Sequence, residues 1–400
     1  MIRALREDFN ANFSQSRYEE VKRTIETRSG CSIEFRIAET PIFLSREFAA
    51  EAGKLAEQLL LRAASSDLQQ IGVHAIPAEF YIPNETSHPT FAAVDFAITG
   101  TSDNPALKLI ELQGFPSLFY FQALYSQVTR DVYRLPIDAT GCVYAEMSYD
   151  DYYGHLKSVI VANEDPAQVV LLELDPLKQK TLPDFLLTAK HLGLHLCNVR
   201  DLVKQGSKLF YKKNNSLIEI RRIYNRVIYD EIQAKKVQLP VDLSSELDVT
   251  WVGHPNWYYR ISKILLPQLS REFDEVPDGF LLNELPFDPA SIDLDHYVLK
   301  PLFSFAGSGV VVGPTLEDIH RVPLHDHYKW MLQERVDYAN AITTPEGNDV
   351  KAELRIMLIW PEGEKPKAMH TLVRLTRGKM VGVDFNKGLD WVGSSCALVV

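Results

Sequence analysis

Residues 297–313, YVLKPLFSFAGSGVVVG, are the stretch that most constrains the fold of this chain. An apolar run ends on Lys300-Pro301, a small-residue segment follows, and a β-branched run resumes at 310–312. Strand, small-residue loop and strand predict a β-hairpin with a flexible tip. Backbone amides at that tip, the hydroxyls on each side of Gly307 and the lysine could together hold an anion. From these residues alone, an anion-binding loop and an ordinary hairpin with one lysine both remain open.

Composition limits the partners that the chain can have. At 400 residues it is long enough for two or three domains, and 46% hydrophobic with 24% charged residues is typical of a globular protein. The net charge of −11 argues against a nucleic acid or an anionic membrane as the main partner, because both require a basic face. An acidic protein can still bind a nucleotide through a few lysines and a metal ion.

The cysteines and the N-terminus indicate a cytoplasmic protein. Cys31, Cys142, Cys197 and Cys396 are far apart and show neither zinc-site nor disulfide-framework spacing, which fits a reducing cytosol. The first twenty residues are charged throughout and lack the apolar core of a signal peptide. No run approaches the roughly 18–20 apolar residues that span a bilayer.

The N-terminal third contains a candidate metal site. Residues 1–70 have helical periodicity, and residues 91–99 and 107–119 then predict a β-hairpin. Glu111 and Gln113 are two apart and share one face of the second strand, and Asp95 in the first strand can lie across from them. Two carboxylates and an amide oxygen suit a hard cation such as Mg²⁺. The alternative is a solvated strand face, although Glu111 lies in a run apolar enough to be largely buried.

The middle of the chain predicts a small α/β domain. Helices over 120–165 precede an apolar strand at 169–174, an amphipathic helix and a second short strand, which together form a βαβ unit. A hairpin with Asn-Asn at its turn follows. DPLKQK stands where a dinucleotide-binding unit would have G-x-G-x-x-G, so such a site is not expected.

The C-terminal part predicts antiparallel strands. A helix over 254–269 carries Lys263, and strands are expected at 328–336, 351–360, 370–378 and, as the last, 381–388, with a polar loop over 340–349. Charged and amide side chains recur along this block. In chain order they are Lys263, Lys300, Gln333, Glu334, Glu353, Arg355, Arg374, Asp384 and Asn386. Charge inside an apolar strand is costly unless it is paired or bound. A single case is usually a salt bridge, but this many in one sheet predict a polyanion site.

The order of these features resembles the ATP-grasp superfamily: helix with lysine, strand ending in Lys-Pro, small-residue loop, Gln-Glu-x-Val strand, Glu-x-Arg strand. In that family two antiparallel sheets clamp ATP. About 115 residues precede the α/β unit here, which is similar to the circularly permuted arrangement of glutathionylspermidine synthase and its relatives. The resemblance implies a chain of the mixed α+β and α/β class. It would have an ATP-grasp fold of two antiparallel-sheet subdomains with an inserted pre-ATP-grasp α/β domain. The implied domains are 1–119, 120–240 and 241–400.

The resemblance also implies a role for each site residue. Lys263 and Lys300 would hold the α- and β-phosphates, the loop over 304–309 would close over the β- and γ-phosphates, and Asp337 would meet the ribose. The remaining nucleotide-binding residues are, in the loop, Ser304, Phe305, Ala306, Gly307, Ser308 and Gly309, and, at the adenine hinge, Gln333, Glu334, Arg335 and Val336.

Two carboxylate sets compete for the metal ion that the resemblance implies. The permuted group has an Asp strand followed by Glu-x-Asn, which points to Asp95, Glu111 and Gln113, with Gln113 in place of the usual Asn. The alternative set is Glu353, Asp384 and Asn386, which imitates the metal pair of the unpermuted family. We favour the first set because the strand of Arg374 lacks the acid that should accompany Asp384.

The activity that the resemblance implies is ATP- and Mg²⁺-dependent ligation of a carboxylate to an amine through an acylphosphate. Arg374 and Arg355 would neutralise the γ-phosphate and the tetrahedral intermediate, and the substrates would be small molecules or peptides. One alternative is a nucleotide-binding module without turnover, because Phe305-Ala306 stand where an acidic or glycine pair is common. Another is ATP-dependent phosphotransfer without ligation. The sequence predicts no oligomeric state.

Overall fold

A computed structural model of the chain describes residues 2–101, 104–135, 147–303, 309–378, 380–381 and 383–400. It shows a mixed α+β fold with several sheets. The N-terminal part is helical, as predicted, apart from one short strand. Its elements are α1 (Arg3–Asn12), α2 (Gln15–Ser29), β1 (Ile42–Leu44), α3 (Arg46–Ala63) and α4 (Ser66–Gly72), followed by 3-10 turns at Val73–Ala75 and Ala78–Phe80. The prediction missed β1 because three apolar residues are too few to show an alternation.

The predicted hairpin around Asp95 is confirmed as β2 (Phe91–Gly100) and β3 (Pro105–Gln113), which pair antiparallel. Two helices follow, α5 (Phe119–Tyr133) and α6 (Tyr149–Ile160). The α5 side chain of Gln122 donates to the backbone oxygens of Thr371 and Ser395, which fixes this helix against the largest sheet.

The predicted βαβ unit is confirmed. Its elements are β4 (Val169–Glu173), α7 (Leu182–Leu192), β5 (His195–Asn198), β6 (Val203–Gln205), β7 (Lys208–Lys213), β8 (Ser216–Ile220), β9 (Arg222–Asn225), α8 (Tyr229–Ala234) and β10 (Thr250–Val252). A parallel sheet has the order β10-β9-β4-β5, and β6, β7 and β8 form a separate antiparallel sheet. Asn214 and Asn215 turn the β7–β8 hairpin with positive φ values of 49° and 65°, which asparagine tolerates well.

The C-terminal part of the chain contributes strands to two sheets. The elements of this part are α9 (Asn256–Arg260), α10 (Leu266–Leu269), β11 (Gly279–Leu281), β12 (Tyr297–Pro301), β13 (Val311–Val312), α11 (Leu316–His320), β14 (Trp330–Glu334), β15 (Asn340–Thr343), β16 (Asp349–Ile359), β17 (Lys367–Thr376) and β18 (Gly393–Val399). The strands β11, β14, β12 and β13, in this order, form an antiparallel sheet that we call the smaller sheet. Val298 pairs with Val312 across β12 and β13, so the hairpin predicted from the Lys300 stretch is confirmed on both sides of its tip.

The predicted helix over 254–269 is wrong as one continuous element. The chain forms α9, a 3-10 turn at Lys263–Leu265 and then α10, and Ser262 between them is extended (φ −149°, ψ −179°). The backbone N–H of Gly114 donates to the carbonyl oxygen of Ile261 at 3.4 Å. Because the carbonyl oxygen of Ile261 accepts from Gly114 rather than from a helical N–H group, α9 ends here. Lys263 then begins a new 3-10 turn.

Two further predictions near the C-terminus are wrong. Part of the predicted loop over 340–349 is β15, which pairs with the first residues of β16 beyond the end of β2. The predicted last strand over 381–388 contains a 3-10 turn at Val383–Asn386, and the last strand is β18. The side-chain oxygen of Asn386 accepts from the Thr376 hydroxyl at 2.9 Å, which folds this segment back onto the end of β17.

The largest sheet combines strands from both ends of the chain. Among the described residues its order is β1-β18-β17-β16-β2-β3, with β15 also on β16. The core of the molecule lies on this sheet, where α3 contributes an apolar face that includes Leu55, Leu59 and Leu60. Cys31, Cys197 and Cys396 are free thiols. No helix in the described parts of the chain is both long and apolar enough to cross a membrane.

Gly114 permits the close approach that positions Lys263. It follows β3 directly, and a Cβ atom there would collide with the carbonyl oxygen of Trp257 and lie 3.0 Å from the Cβ of Ile261. Only glycine therefore allows the end of β3 to lie against α9 and the turn that begins at Lys263.

We expect Gly114→Ala to lower the free energy of unfolding by about 1–3 kcal/mol, because backbone must move to make room for the methyl group. The matched control is Gly154→Ala in α6, where a Cβ atom meets nothing within 4 Å. That change should be neutral or stabilising by up to about 1 kcal/mol, since alanine is the better helix former. Urea denaturation of both variants measures the difference. Equal effects would contradict a close-approach role for Gly114.

Candidate functional site

Four neighbouring strands of the largest sheet place six polar side chains on one face. On β2, Asp95 is directly opposite Glu111 of β3 and Arg355 of β16, and Glu353 of β16 is opposite Arg374 of β17. Directly opposite residues share a face, as do residues two apart on one strand. The set brought together is Asp95, Glu111, Gln113, Glu353, Arg355 and Arg374. The sequence predicted each of them individually, and their common face follows from the strand register.

Asp95 is the centre of a buried ion network. It is 1% exposed, and Arg355 donates to it twice, from Nε to Oδ1 and from Nη2 to Oδ2, at 2.7 Å each. Arg374 also contacts Asp95 Oδ2 and Glu353 Oε1. Burial by itself would raise the pKa of Asp95, but the two guanidinium groups outweigh burial and lower it. Asp95 is therefore ionised and neutralised in place.

Glu353 differs from Asp95 in its environment. Burial raises its pKa, against the attraction of Arg374, and the hydroxyl of Tyr338 donates to Glu353 Oε2 at 2.8 Å. Tyr338 was not predicted. A tyrosine two residues after the Gln-Glu-x-Val segment carries no signal in the sequence that would identify its partner on β16.

Glu111 binds the first of the two lysines. Lys263 Nζ lies 2.6 Å from Glu111 Oε1, and the side chains are 10% and 20% exposed. Gln113 Nε2 donates to Glu111 Oε2 at 2.9 Å. Burial raises the pKa of Glu111, but Lys263 outweighs this effect and lowers it. Glu111 is thus the more accessible acid of the face, and its partner is on a flexible stem.

Lys300 brings the smaller sheet to the same place. Its Nζ donates to Gln333 Oε1 at 2.5 Å, and Gln333 Nε2 donates to the carbonyl oxygen of Pro277 at 3.1 Å. Burial and the nearby Lys263 lower the pKa of Lys300 to about 7, against the attraction of Glu111 and Glu353. Lys300 on β12 is therefore near enough to Glu111 of β3, Glu353 of β16 and Lys263 for their charges to act on its pKa.

The predicted adenine hinge lies at the end of β14. The side chain of Gln333 is buried against Lys300. The backbone N–H groups of Glu334 and Arg335 donate to the backbone carbonyl oxygens of Asp278 and His296, at 2.8 Å each. Within the described parts of the chain, no acceptor is found for the N–H of Val336. A cavity of about 250 Å³ lies beside the hinge. It is lined by His296, Tyr297, Glu334 and Arg335.

Some predicted residues cannot be placed in the site. Ser304, Phe305, Ala306, Gly307 and Ser308 lie outside the described residues, as does the side chain of Asp384. Gly309 is described; its φ of +75° favours glycine, and a Cβ atom there would lie 3.2 Å from Pro301 Cγ.

Asn386, of the alternative metal set, closes a turn. Besides Thr376, it accepts from the backbone N–H groups of Arg377 and Gly378 and donates to the carbonyl oxygen of Met380. In this set, Glu353 is the residue that the structure places in the ion network.

The oxygen donors on this face are of the kind that Mg²⁺ prefers. Glu111 and Gln113 fit such an ion, because they are neighbours on one strand face and Glu111 is partly exposed. Asp95 fits less well, because both of its oxygens accept from guanidinium groups. Among the residues that the structure describes, no group of three or more His, Cys, Asp and Glu side chains is arranged to hold a metal ion.

A second set of buried ionisable groups, missed from the sequence, lies at the carboxyl edge of the parallel sheet. Glu173 ends β4, and burial raises its pKa to about 8. Arg226 follows β9 and pairs with Asp184 of α7 at 3.0 Å, with both side chains under 5% exposed. The guanidinium of Arg226 lies 5.6 Å from the ring of Phe115. The sequence signal was a charge in the middle of the apolar run 223–229.

The turn after β3 connects the two sets of charges. Phe115 contacts Arg226, and a Cβ atom on Gly253, which follows β10, would lie 3.6 Å from Pro116. The strand that carries Glu111 and Gln113 therefore ends against the carboxyl edge of the parallel sheet, which is where open α/β sheets bind ligands.

Comparison with solved structures finds this fold in a glutathione synthetase-like effector from Globodera pallida in its apo form. The TM-score is 0.62, the match covers 96% of this chain and 96% of that chain, and the sequence identity is 11%. At this identity the likeness shows the fold alone. It is consistent with the ATP-grasp-like fold predicted from the sequence. No protein-family model and no curated protein sequence matches the chain.

We expect Asp95→Asn to lower the free energy of unfolding by about 3–5 kcal/mol, because it leaves the largely buried guanidinium of Arg355 without its counter-charge. The control is Glu317→Gln in an exposed ion pair, where Arg321 and Glu317 side chains are 66% and 75% exposed. That change should cost about 0.5 kcal/mol or less. Urea denaturation at pH 7 compares the two. A loss for Asp95→Asn no larger than that of the control would show that the network is not structural.

Proposed function

We propose that the chain is an ATP-grasp enzyme that joins a carboxylate to an amine through an acylphosphate. The observation that supports this most is the meeting of Lys263 and Lys300. They come from different parts of the chain and converge on Glu111, beside Arg374. Cationic side chains from the two sheets and from the turn that begins at Lys263, around a partly exposed acid, form a site for a polyanion with a bound cation.

The nucleotide would lie between the two sheets. The two lysines would hold its phosphates, the loop over 304–309 would cover them, and the base would lie against the hinge. The bonds of Glu334 and Arg335 to Asp278 and His296 leave the next residue, Val336, as the backbone donor for the base. Glu111 and Gln113 would hold Mg²⁺, which when bound would neutralise phosphate charge.

The chain's task in the reaction is to position the reactants and neutralise charge. An oxygen of the carboxylate substrate attacks the γ-phosphorus, the bond to the β-phosphate oxygen breaks, and ADP leaves. The amine then attacks the acyl carbon of the acylphosphate, inorganic phosphate leaves, and the amine loses a proton. Arg374 is 32% exposed, so the accessible part of its guanidinium can face the transferring phosphate and the tetrahedral intermediate.

The acceptor substrate would lie at the carboxyl edge of the parallel sheet. Glu173 and Arg226 supply buried ionisable groups there, and the Phe115–Pro116 turn connects this edge to Glu111. The cysteine pattern favours a reducing cytosol as the place of action.

A second candidate function is nucleotide binding without turnover. It is favoured because both oxygens of Asp95 already accept hydrogen bonds from arginine side chains, which removes one of the predicted metal ligands. It is also favoured by Gln113, which stands in the usual place of Asn. Release of ADP and phosphate across a panel of amino acids, polyamines and short peptides separates the two functions. Calorimetric ATP binding with no turnover on any of them would favour the second candidate.

Lys300→Ala should abolish ATP turnover while leaving the fold intact. Loss of one preorganised charge at a transferring phosphoryl group costs about 10²–10³ in rate. Lys329→Ala is the control, because this lysine precedes β14 of the same small sheet but is half exposed and pairs with Asp326. ADP release reports activity, and circular dichroism reports the fold. Full activity of Lys300→Ala would rule out the proposed role.

ATP affinity should fall as the pH rises above 7. With a pKa of about 7, Lys300 loses its proton over this range, and the neutral amine no longer attracts phosphate. Binding should weaken about tenfold between pH 7 and pH 8.5. Lys300→Arg stays charged throughout and should show a flat profile, even at lower affinity. Calorimetry at both pH values measures the ATP affinity. A wild-type affinity that does not change with pH would contradict the role of the Lys300 charge.

A further inference from the structure

Asp95 and Glu111 are neighbours on the same face but have different kinds of partner. Both Asp95 oxygens are held by the planar guanidinium of Arg355, at 2.7 Å each, and Oδ2 also contacts Arg374. Glu111 has a lysine ammonium on Oε1 and an amide on Oε2. The bidentate bond fixes both position and orientation, whereas an ammonium on a four-carbon stem is a point charge that can move away.

The backbone also fixes the Asp95–Arg355 pair. The two residues are direct partners across β2 and β16, and their side chains are 1% and 12% exposed. A divalent ion that entered at Asp95 would have to break both guanidinium bonds and leave Arg355 buried without a counter-charge. Such an unpaired buried charge is strongly unfavourable. Arginine also cannot give up its proton to relieve the conflict.

We propose that Arg355 is a built-in replacement for a divalent cation at Asp95, so that the chain's own ligands for such an ion are limited to Glu111 and Gln113. The guanidinium supplies at Asp95 the positive charge and the two-oxygen contact that a metal ion would otherwise supply. This assigns Arg355 a positioning role and leaves Arg374 as the arginine of this face that can contact a ligand. The inference rests on the proposed nucleotide site for the identity of the ion, but its test needs no nucleotide.

The test is the effect of MgCl2 on the melting temperature of nucleotide-free protein, compared with equal ionic strength from NaCl. Any response of the wild type should come from Glu111 and Gln113 and should therefore persist in Asp95→Asn. Arg355→Met, which removes the charge and keeps much of the packing volume, should melt lower and recover by about 2 °C or more in millimolar Mg²⁺, because the ion now binds the freed Asp95. The double variant Arg355→Met with Asp95→Asn should lose this recovery, since its carboxylate is gone.

Two outcomes would overturn the proposal. One is a wild type that Mg²⁺ stabilises through Asp95, shown by loss of the effect in Asp95→Asn. The other is an Arg355→Met variant that Mg²⁺ does not rescue. If Arg355→Met does not fold, Mn²⁺ titrations of the wild type and of Asp95→Asn, followed by electron paramagnetic resonance, decide. Equal numbers of bound ions support the proposal, and one ion fewer in Asp95→Asn contradicts it. Failure of ATP binding would refute the proposed function but would leave these results unchanged.

Discussion

The bidentate ion pair between Asp95 and Arg355 is the interaction on which the rest of the site depends. A carboxylate that is 1% exposed in the middle of a sheet would become neutral without a cation beside it. Because Arg355 is directly opposite on the next strand, the charge is retained and its orientation is fixed. Arg374 then has a defined partner on each side, Asp95 and Glu353, and this sets the direction of its guanidinium.

The network leaves the face with an excess of positive charge. Three acids, Asp95, Glu111 and Glu353, are matched with four cations, Arg355, Arg374, Lys263 and Lys300. The cations differ in their contacts: Arg355 forms a bidentate pair with Asp95, Arg374 is partly exposed, and the two lysines contact Glu111 and Gln333. A phosphate-bearing ligand could recruit the lysines without disturbing the arginines. Burial and the neighbouring Lys263 disfavour the charge of Lys300 and lower its pKa to about 7.

Much of this could be predicted from the sequence, because charges inside apolar strands are visible without a structure. The Lys300 hairpin, the Asp95–Glu111 hairpin and the βαβ unit follow from residue patterns and are confirmed. What the sequence could not show is which charge pairs with which. The bond between Tyr338 and Glu353 and the contact of Gly114 with Trp257 join distant segments. The last strand was misplaced because a side-chain bond from Thr376 to Asn386, rather than any local propensity, decides the conformation of 383–386.

The central claim is that the meeting of Lys263 and Lys300 is a nucleotide phosphate site. A crystal structure with a non-hydrolysable ATP analogue and Mg²⁺ tests it most directly. The account predicts phosphates between the two lysines, the base beside Val336, the ion on Glu111 and Gln113, and an unbroken Asp95–Arg355 pair. A nucleotide bound elsewhere, or an ion on Asp95 with Arg355 displaced, would contradict it.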